Sequence, residues 1–361
     1  LELLKNWFKR YFSDPQVVIL GVVLLVGLFI VIGLGKWLAP MFTAIIVAYL
    51  LEALVTKLQR TGLPRMPAVI VVFLGFMALL FFLLFVVIPR ISRQLTQLVQ
   101  QFPDYLAKGQ VVLTELPARY PRLISDEQVQ AVTTAASQEL GTAGQQFLSW
   151  SLASVPVLFG LAVFLILVPV LVFFLMKDKD RIIQWFVSFL PKDRSLVNTV
   201  WIEAETQIAN YVRGKVLEIF IVGAVTYVTF ILLDLQYAAL LGALTGFSVL
   251  IPYIGAAIVT LPIALVAWFQ FGWGIEFGQI IIAYGIIQAI DGNVLVPLLF
   301  SEVVNLHPVA IILAILVFGG LWGFWGIFFA IPLATLVHAV VRSWPRDEQI
   351  HPAASSDLES L

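Results

Sequence analysis

Between Val216 and Val341 the chain contains no lysine and no arginine, yet Glu218, Asp234, Glu276, Asp291 and Glu302 all lie there. The stretch is almost continuously apolar. A water-soluble domain of that length needs basic side chains to solvate its surface. A membrane domain excludes them, because lysine and arginine are costly in hydrocarbon and collect in cytoplasmic loops. The acids that remain have two places available: the membrane interface, or a polar path through the membrane.

Composition agrees with the membrane class. Hydrophobic residues make up 61% and charged residues 12% of the chain, and mean hydropathy is +0.99, against roughly 45–50% apolar and about 25% charged in soluble domains. The expected fold is therefore an all-α polytopic membrane protein with the lipid bilayer as its first partner. A net charge of −1 gives none of the basic footprint of a nucleic-acid binder. The absence of cysteine excludes disulfides and thiolate metal sites. No phosphate-cradling loop, paired-histidine metal helix or serine elbow occurs, so the expectation is a protein that is not an enzyme and has no cofactor and no metal site.

A spanning helix needs about 20 apolar residues. Candidates are Val17–Gly35, ended by Lys36-Trp37, then Leu38–Thr56 and Ala68–Ile88, a three-helix segment over 1–89. The first of these reads as an anchor, not a cleaved signal. The loop holding Lys57, Arg60 and Arg65 contains no acid, which places it and, two crossings earlier, the N-terminus in the cytoplasm. Residues 90–150 form an extramembrane region on the outer face, where Leu95, Leu98, Val99 and Phe102 mark an amphipathic helix. Its default role is a cap on the membrane domain.

The domain 151–345 begins with the span Leu152–Met176 and the charged collar Lys177–Arg181. Segment 177–215 carries a basic excess that includes Lys215, and reads as an amphipathic helix along the inner face. Val216–Leu233 is the fifth span, and Glu218 and Asp234 at its ends read as interfacial. Ala238–Leu250 and Ala256–Phe271, interrupted by Ile251–Gly255, are short and suggest a re-entrant hairpin. Gln279–Ile290, Val303–Phe318 and Phe324–Val341 follow. The count is about eight spans, with a cytoplasmic C-terminus marked by Arg342 and Arg346 and a disordered tail over 346–361.

Interrupted apolar helices point to a transporter's binding site, because non-helical backbone at membrane depth is tolerated only inside protein or beside water. Two interruptions stand out, with Pro252 and Gly255 in the first and Gly292 and Pro297 in the second. The second carries Gln288, Asp291 and Asn293, and continues to Glu302, Asn305 and His307. Gln288 and Asp291, three apart, share a helix face. Such a group can hold a proton, a monovalent cation or the hydroxyls of a small polar solute. The competing reading makes Asp291 a helix cap after a break. Glycine pairs spaced by four, Gly242/Gly246, Gly274/Gly278 and Gly319/Gly323, read as close helix contacts.

Several strings resemble the AI-2E transporter family: Leu167–Lys179, Tyr211–Lys215, Ile251–Gly255, Asp291–Pro308 and Gly319–Pro332. The resemblance implies a helical permease of the bacterial inner membrane and a homo-oligomer, a pentamer among the forms it suggests. It also implies one of two transport activities: export of a small polar solute such as autoinducer-2, or exchange of sodium or lithium for protons. A membrane scaffold, docking partners through 90–150 and 177–215, is the third expectation.

Overall fold

The computed structural model describes residues 15–119, 134, 154–189, 195–252, 254–300 and 307–343. Among them the regular structure is helical throughout, with no strand. Six helical stretches are long and apolar enough to cross a membrane: Trp37–Arg60, Arg65–Gly109, Gly160–Lys177, Glu205–Leu232, Ile254–Phe271 and Ile275–Phe300. Their exposed faces carry large apolar side chains such as Phe85, Ile166, Leu232 and Leu298, as lipid-facing surfaces must. The chain is an all-α polytopic membrane protein.

Two compact units divide the chain. The larger comprises Pro40–Asp178 and Arg213–Ser301, and the other Leu1–Ala39, Lys179–Val212 and Glu302–Leu361. Helix α1 runs unbroken from Pro15 to Arg60. The two spans read on either side of Lys36-Trp37 are thus one helix, because neither residue breaks a helix and Pro40 removes a single hydrogen bond. In the larger unit the second half of α1 packs on α2 (Arg65–Phe82) and on α4 (Ser154–Lys177). Ala44, Ala48 and Val55 meet Ala68, Val69 and Val72, and also Val168, Val172 and Met176. Each set recurs at helical spacing, which puts it on one face. Arg65 ties these helix ends together. Its guanidinium donates to Glu52 Oε1 at 3.2 Å and to the Met176 carbonyl, near the end of α4, at 2.9 Å.

Beyond α2 the helix widens into a π turn, Leu83–Val87, and continues as α3, Ile88–Arg119. Its packed face is Ile91, Gln94, Leu98, Gln101 and Tyr105, whereas Leu95 and Phe102 are exposed. The packed face is therefore offset from the apolar stripe that the sequence suggests. Two glutamines sit on it because unpaired donors need them. Gln94 Oε1 accepts from the Leu240 N–H at 2.8 Å, in the first turn of α7 (Ala238–Ser248), where backbone N–H groups lack helical partners. Gln101 Oε1 accepts from the Tyr237 hydroxyl at 2.7 Å.

The short helix α5, Lys179–Ser188, precedes α6, Ser195–Leu232. From Ser195 on, the segment expected to lie along the inner face and the fifth span are consequently a single helix, not two elements that meet at Val216. Helix α7, at 11 residues about 16 Å long, is too short to cross hydrocarbon. It packs against α8, Ile254–Phe271. In the smaller unit α11 (Pro308–Trp322) and α12 (Phe324–Ser343) pair as a hairpin. It turns at Gly323, whose φ of 59° suits a residue without a Cβ.

Helix α7 lies hard against α6 at Gly223, Gly242 and Gly246, all in the larger unit. A Cβ on Gly246 would stand 2.7 Å from the Ile219 carbonyl oxygen and 3.1 Å from the Gly223 Cα. Both are backbone atoms, so neither side can yield cheaply. We expect Gly246→Ala to lower stability by about 1–3 kcal/mol, read as a lower thermal midpoint of the detergent-solubilised chain. Gly285→Ala, with nothing within 4 Å of the added Cβ, should leave the midpoint unchanged or raised. Equal midpoints for Gly246→Ala and wild type would contradict the packing.

Candidate functional site

Helix α9 (Ile275–Ile290) does not stop at Asp291. It widens into a second π turn, Asp291–Leu295, and resumes as α10, Val296–Phe300. The expected break at Gly292 and Pro297 is a π turn within a continuous helix. Both π turns end two residues before a proline, Pro89 and Pro297. A proline ring clashes with the carbonyl four residues earlier, and the wider turn relieves that clash by shifting the bonding pattern. The Val296 N–H accordingly reaches back to the Asp291 carbonyl. Pi turns of this kind recur at functional sites.

Asp291 is 9% exposed, and its Oδ1 is fully buried with no hydrogen-bond partner. It does not cap a helix, since the helix runs straight through it. Opposite lie two residues of α6, Lys215 and Glu218, 4% and 2% exposed. Three apart on one helix, they share a face. The Lys215 ammonium lies 2.7 Å from Glu218 Oε2 and donates to the Val249 carbonyl at 2.9 Å. It also sits 5.2 Å from the centre of the Phe300 ring. The contact with Glu218 is an ion pair without the alignment of a hydrogen bond. Asp291 is within electrostatic reach of both α6 charges, attracted by Lys215 and repelling Glu218. Ionised together, the three groups carry one net negative charge.

The surroundings fit this cluster closely. Gly214 has no Cβ, and one built there would meet Phe300 Cε1 at 2.7 Å, so the missing side chain makes room for the ring over Lys215. Val222, one turn beyond Glu218, packs with Val249 and Ile287 to close the cluster off with apolar side chains. Arg213 lies 5.0 Å from the Tyr49 ring centre.

The other sequence candidates fall in several places. Gln288 is half-buried on the turn before Asp291, and its Nε2 has no partner. Asn293 is exposed, and its amide donates to the Ala289 carbonyl at 2.8 Å. His307 is exposed and caps α11, its Nδ1 accepting from the Val309 N–H at 3.3 Å. Glu302 and Asn305 lie outside the described residues. Pro252 sits in the turn between α7 and α8, and Gly255 is buried in the first turn of α8 against the Ser248 carbonyl.

Sequence reasoning does not single out Lys215 and does not show that Glu218 is buried in protein. Lys215, counted in the basic excess of segment 177–215, is a buried counter-charge, and Glu218 is enclosed by protein. One signal points to them. Lys215 is the last base before a long stretch holding only acids, and it stands one helical turn from Glu218.

The chain matches the AI-2E family transporter over residues 6–346. It is 47% identical over 350 residues to an Escherichia coli K12 protein described as "Putative permease PerM", covering 97% of this chain and 99% of that protein. A Bacillus subtilis "Putative transport protein YueF" is 27% identical over 314 residues, covering 84% and 82%. A Synechocystis "Putative transport protein sll0063" is 24% identical over 380 residues, covering 99% and 93%.

Removing one partner of a buried ion pair strands the other, whereas removing both is often neutral. Lys215→Met should therefore destabilise the chain by about 3–5 kcal/mol, and Lys215→Met with Glu218→Gln and Asp291→Asn should recover most of that loss. Thermal or denaturant unfolding in detergent reads both. A single variant as stable as wild type would show that Lys215 is solvated.

Proposed function

The chain belongs to the AI-2E transporter family, and from that premise we propose that it is an inner-membrane secondary permease. It exports a small polar solute, chemically like autoinducer-2, along a polar route beside the π turn at Asp291. One observation carries this reading: a buried carboxylate whose Oδ1 has no hydrogen-bond partner faces a buried Lys–Glu pair between helices otherwise apolar enough to span. Such a cluster is a poor way to gain stability, because hydrophobic residues of similar volume are as good or better. Ionisable groups within spans mark pathways by default. A scaffold has no use for one. Exchange of sodium or lithium for protons, the second reading, draws on the same carboxylate, but the Lys215 ammonium already occupies the position a metal cation would take.

Orientation is part of the proposal. Arg65 joins the loop after α1 to the end of α4, so the loop assigned to the cytoplasm by charge and the Met176 end of α4 lie at the same end of the larger unit. Because the chain has no cysteine, single cysteines report sidedness directly. Thr61→Cys should react with a membrane-impermeant maleimide from the cytoplasmic side, and Asp104→Cys from the other. Labelling of both from one side would contradict the arrangement.

For transport, proteoliposomes loaded with autoinducer-2 should release it through the wild-type chain. Asp291→Asn should slow release at least about tenfold, equivalent to ~1.4 kcal/mol in the barrier. Unchanged release in the variant would remove Asp291 from the route. Sodium- or lithium-driven proton movement that disappears in the variant would transfer the assignment to the antiporter.

A further inference from the structure

We propose that the Lys215–Glu218–Asp291 cluster is a proton-binding site in which Asp291 holds one exchangeable proton while Lys215 and Glu218 remain a fixed ion pair. Its use in driving transport rests on the permease reading above; the occupancy of the site does not.

A lysine ammonium has three N–H donors. The Lys215 ammonium donates to the Val249 carbonyl, is ion-paired with Glu218 Oε2 and lies over the face of Phe300. No hydrogen bond runs from it to Asp291, whose Oδ1 is buried without a donor. The ion pair cancels itself, and the Asp291 charge is left over. A buried carboxylate without a paired charge or hydrogen bonds is among the costliest groups a protein can hold. Its simplest relief is a proton taken from the aqueous phase: an O–H bond forms on Asp291, no electrons move and no co-reactant is needed.

Among the described residues the surrounding elements supply no other remedy. Helix α6 presents Lys215 and Glu218. The end of α7 presents the Val249 carbonyl, already used by Lys215, and α10 presents the Phe300 ring. On its own helix Asp291 has the Gln288 amide one turn away. A metal ion is poorly served here, because an ammonium is the resident cation. Among the described residues no three histidine or acidic side chains gather to hold a metal. A proton needs only one oxygen with neither a hydrogen bond nor an ion-pair contact, and Asp291 Oδ1 is such an oxygen.

Infrared difference spectroscopy of the full chain in lipid vesicles, stepped from alkaline to acidic pH, tests this without any solute. The wild type should show a protonated-carboxyl C=O band that is lost in Asp291→Asn and retained in Glu218→Gln. Asp291→Glu keeps the acid and should move the band in frequency, which guards against misfolding of the amide variant. A band unchanged in Asp291→Asn, or lost only in Glu218→Gln, would overturn the assignment. So would a band that sodium or lithium removes at constant pH, because the site would then not be a proton's alone. If the band behaves as expected while solute release ignores Asp291, the proton site stands and the route falls. If release depends on Asp291 and no such band is seen, the route stands and the proton site falls.

Discussion

Lys215, the last basic residue before a run of helices that carry only acids, is enclosed by Glu218, the Val249 carbonyl and the Phe300 ring. Burying an ammonium is tolerable only if its donors are satisfied and its charge is opposed. That requirement holds α6, the end of α7 and α10 together at one point. It also explains why Gly214 has no side chain where Phe300 must lie. The pair opposes its own charges and leaves Asp291 Oδ1 without a partner, which is the position proposed to bind a proton.

The backbone meets a related constraint. Two of the prolines that lie within continuous helical segments, Pro89 and Pro297, are each preceded by a π turn that absorbs the clash. The first lies between α2 and α3, so that the packed face of α3 meets the start of α7 through Gln94 and Gln101. The second begins at Asp291 itself. A helix that widens without breaking keeps its backbone hydrogen bonds inside the segment, as apolar surroundings demand.

Much of this is legible in the residues. Hydropathy and the absence of lysine and arginine between Val216 and Val341 identify the class, and the Pro/Gly turn at Ile251–Gly255 marks the short helix α7. Glycine spacing marks the close approach of α6 and α7 and the α11–α12 hairpin. Asp291 stands out because an acid in an apolar helix needs a reason. Other features are not readable from local pattern. Lys36-Trp37 looks like a span boundary, yet nothing there stops a helix. Leu95 and Phe102 look like a buried stripe, but glutamines take the inner face because the α7 N-terminus and Tyr237 present donors to them. The pairing of Lys215 and Glu218 with Asp291 joins residues more than 70 positions apart, and spacing along one helix cannot reveal that.

If the three charges are kept for transport and not for stability, removing them together should separate the two properties. The direct measurement compares wild type with Lys215→Met, Glu218→Gln and Asp291→Asn combined in one chain, reading unfolding in detergent and solute release from vesicles on the same preparations. The expected result is stability equal to or above wild type together with loss of release. A combined variant that loses several kcal/mol yet still releases solute would contradict this, and would make the cluster a structural joint.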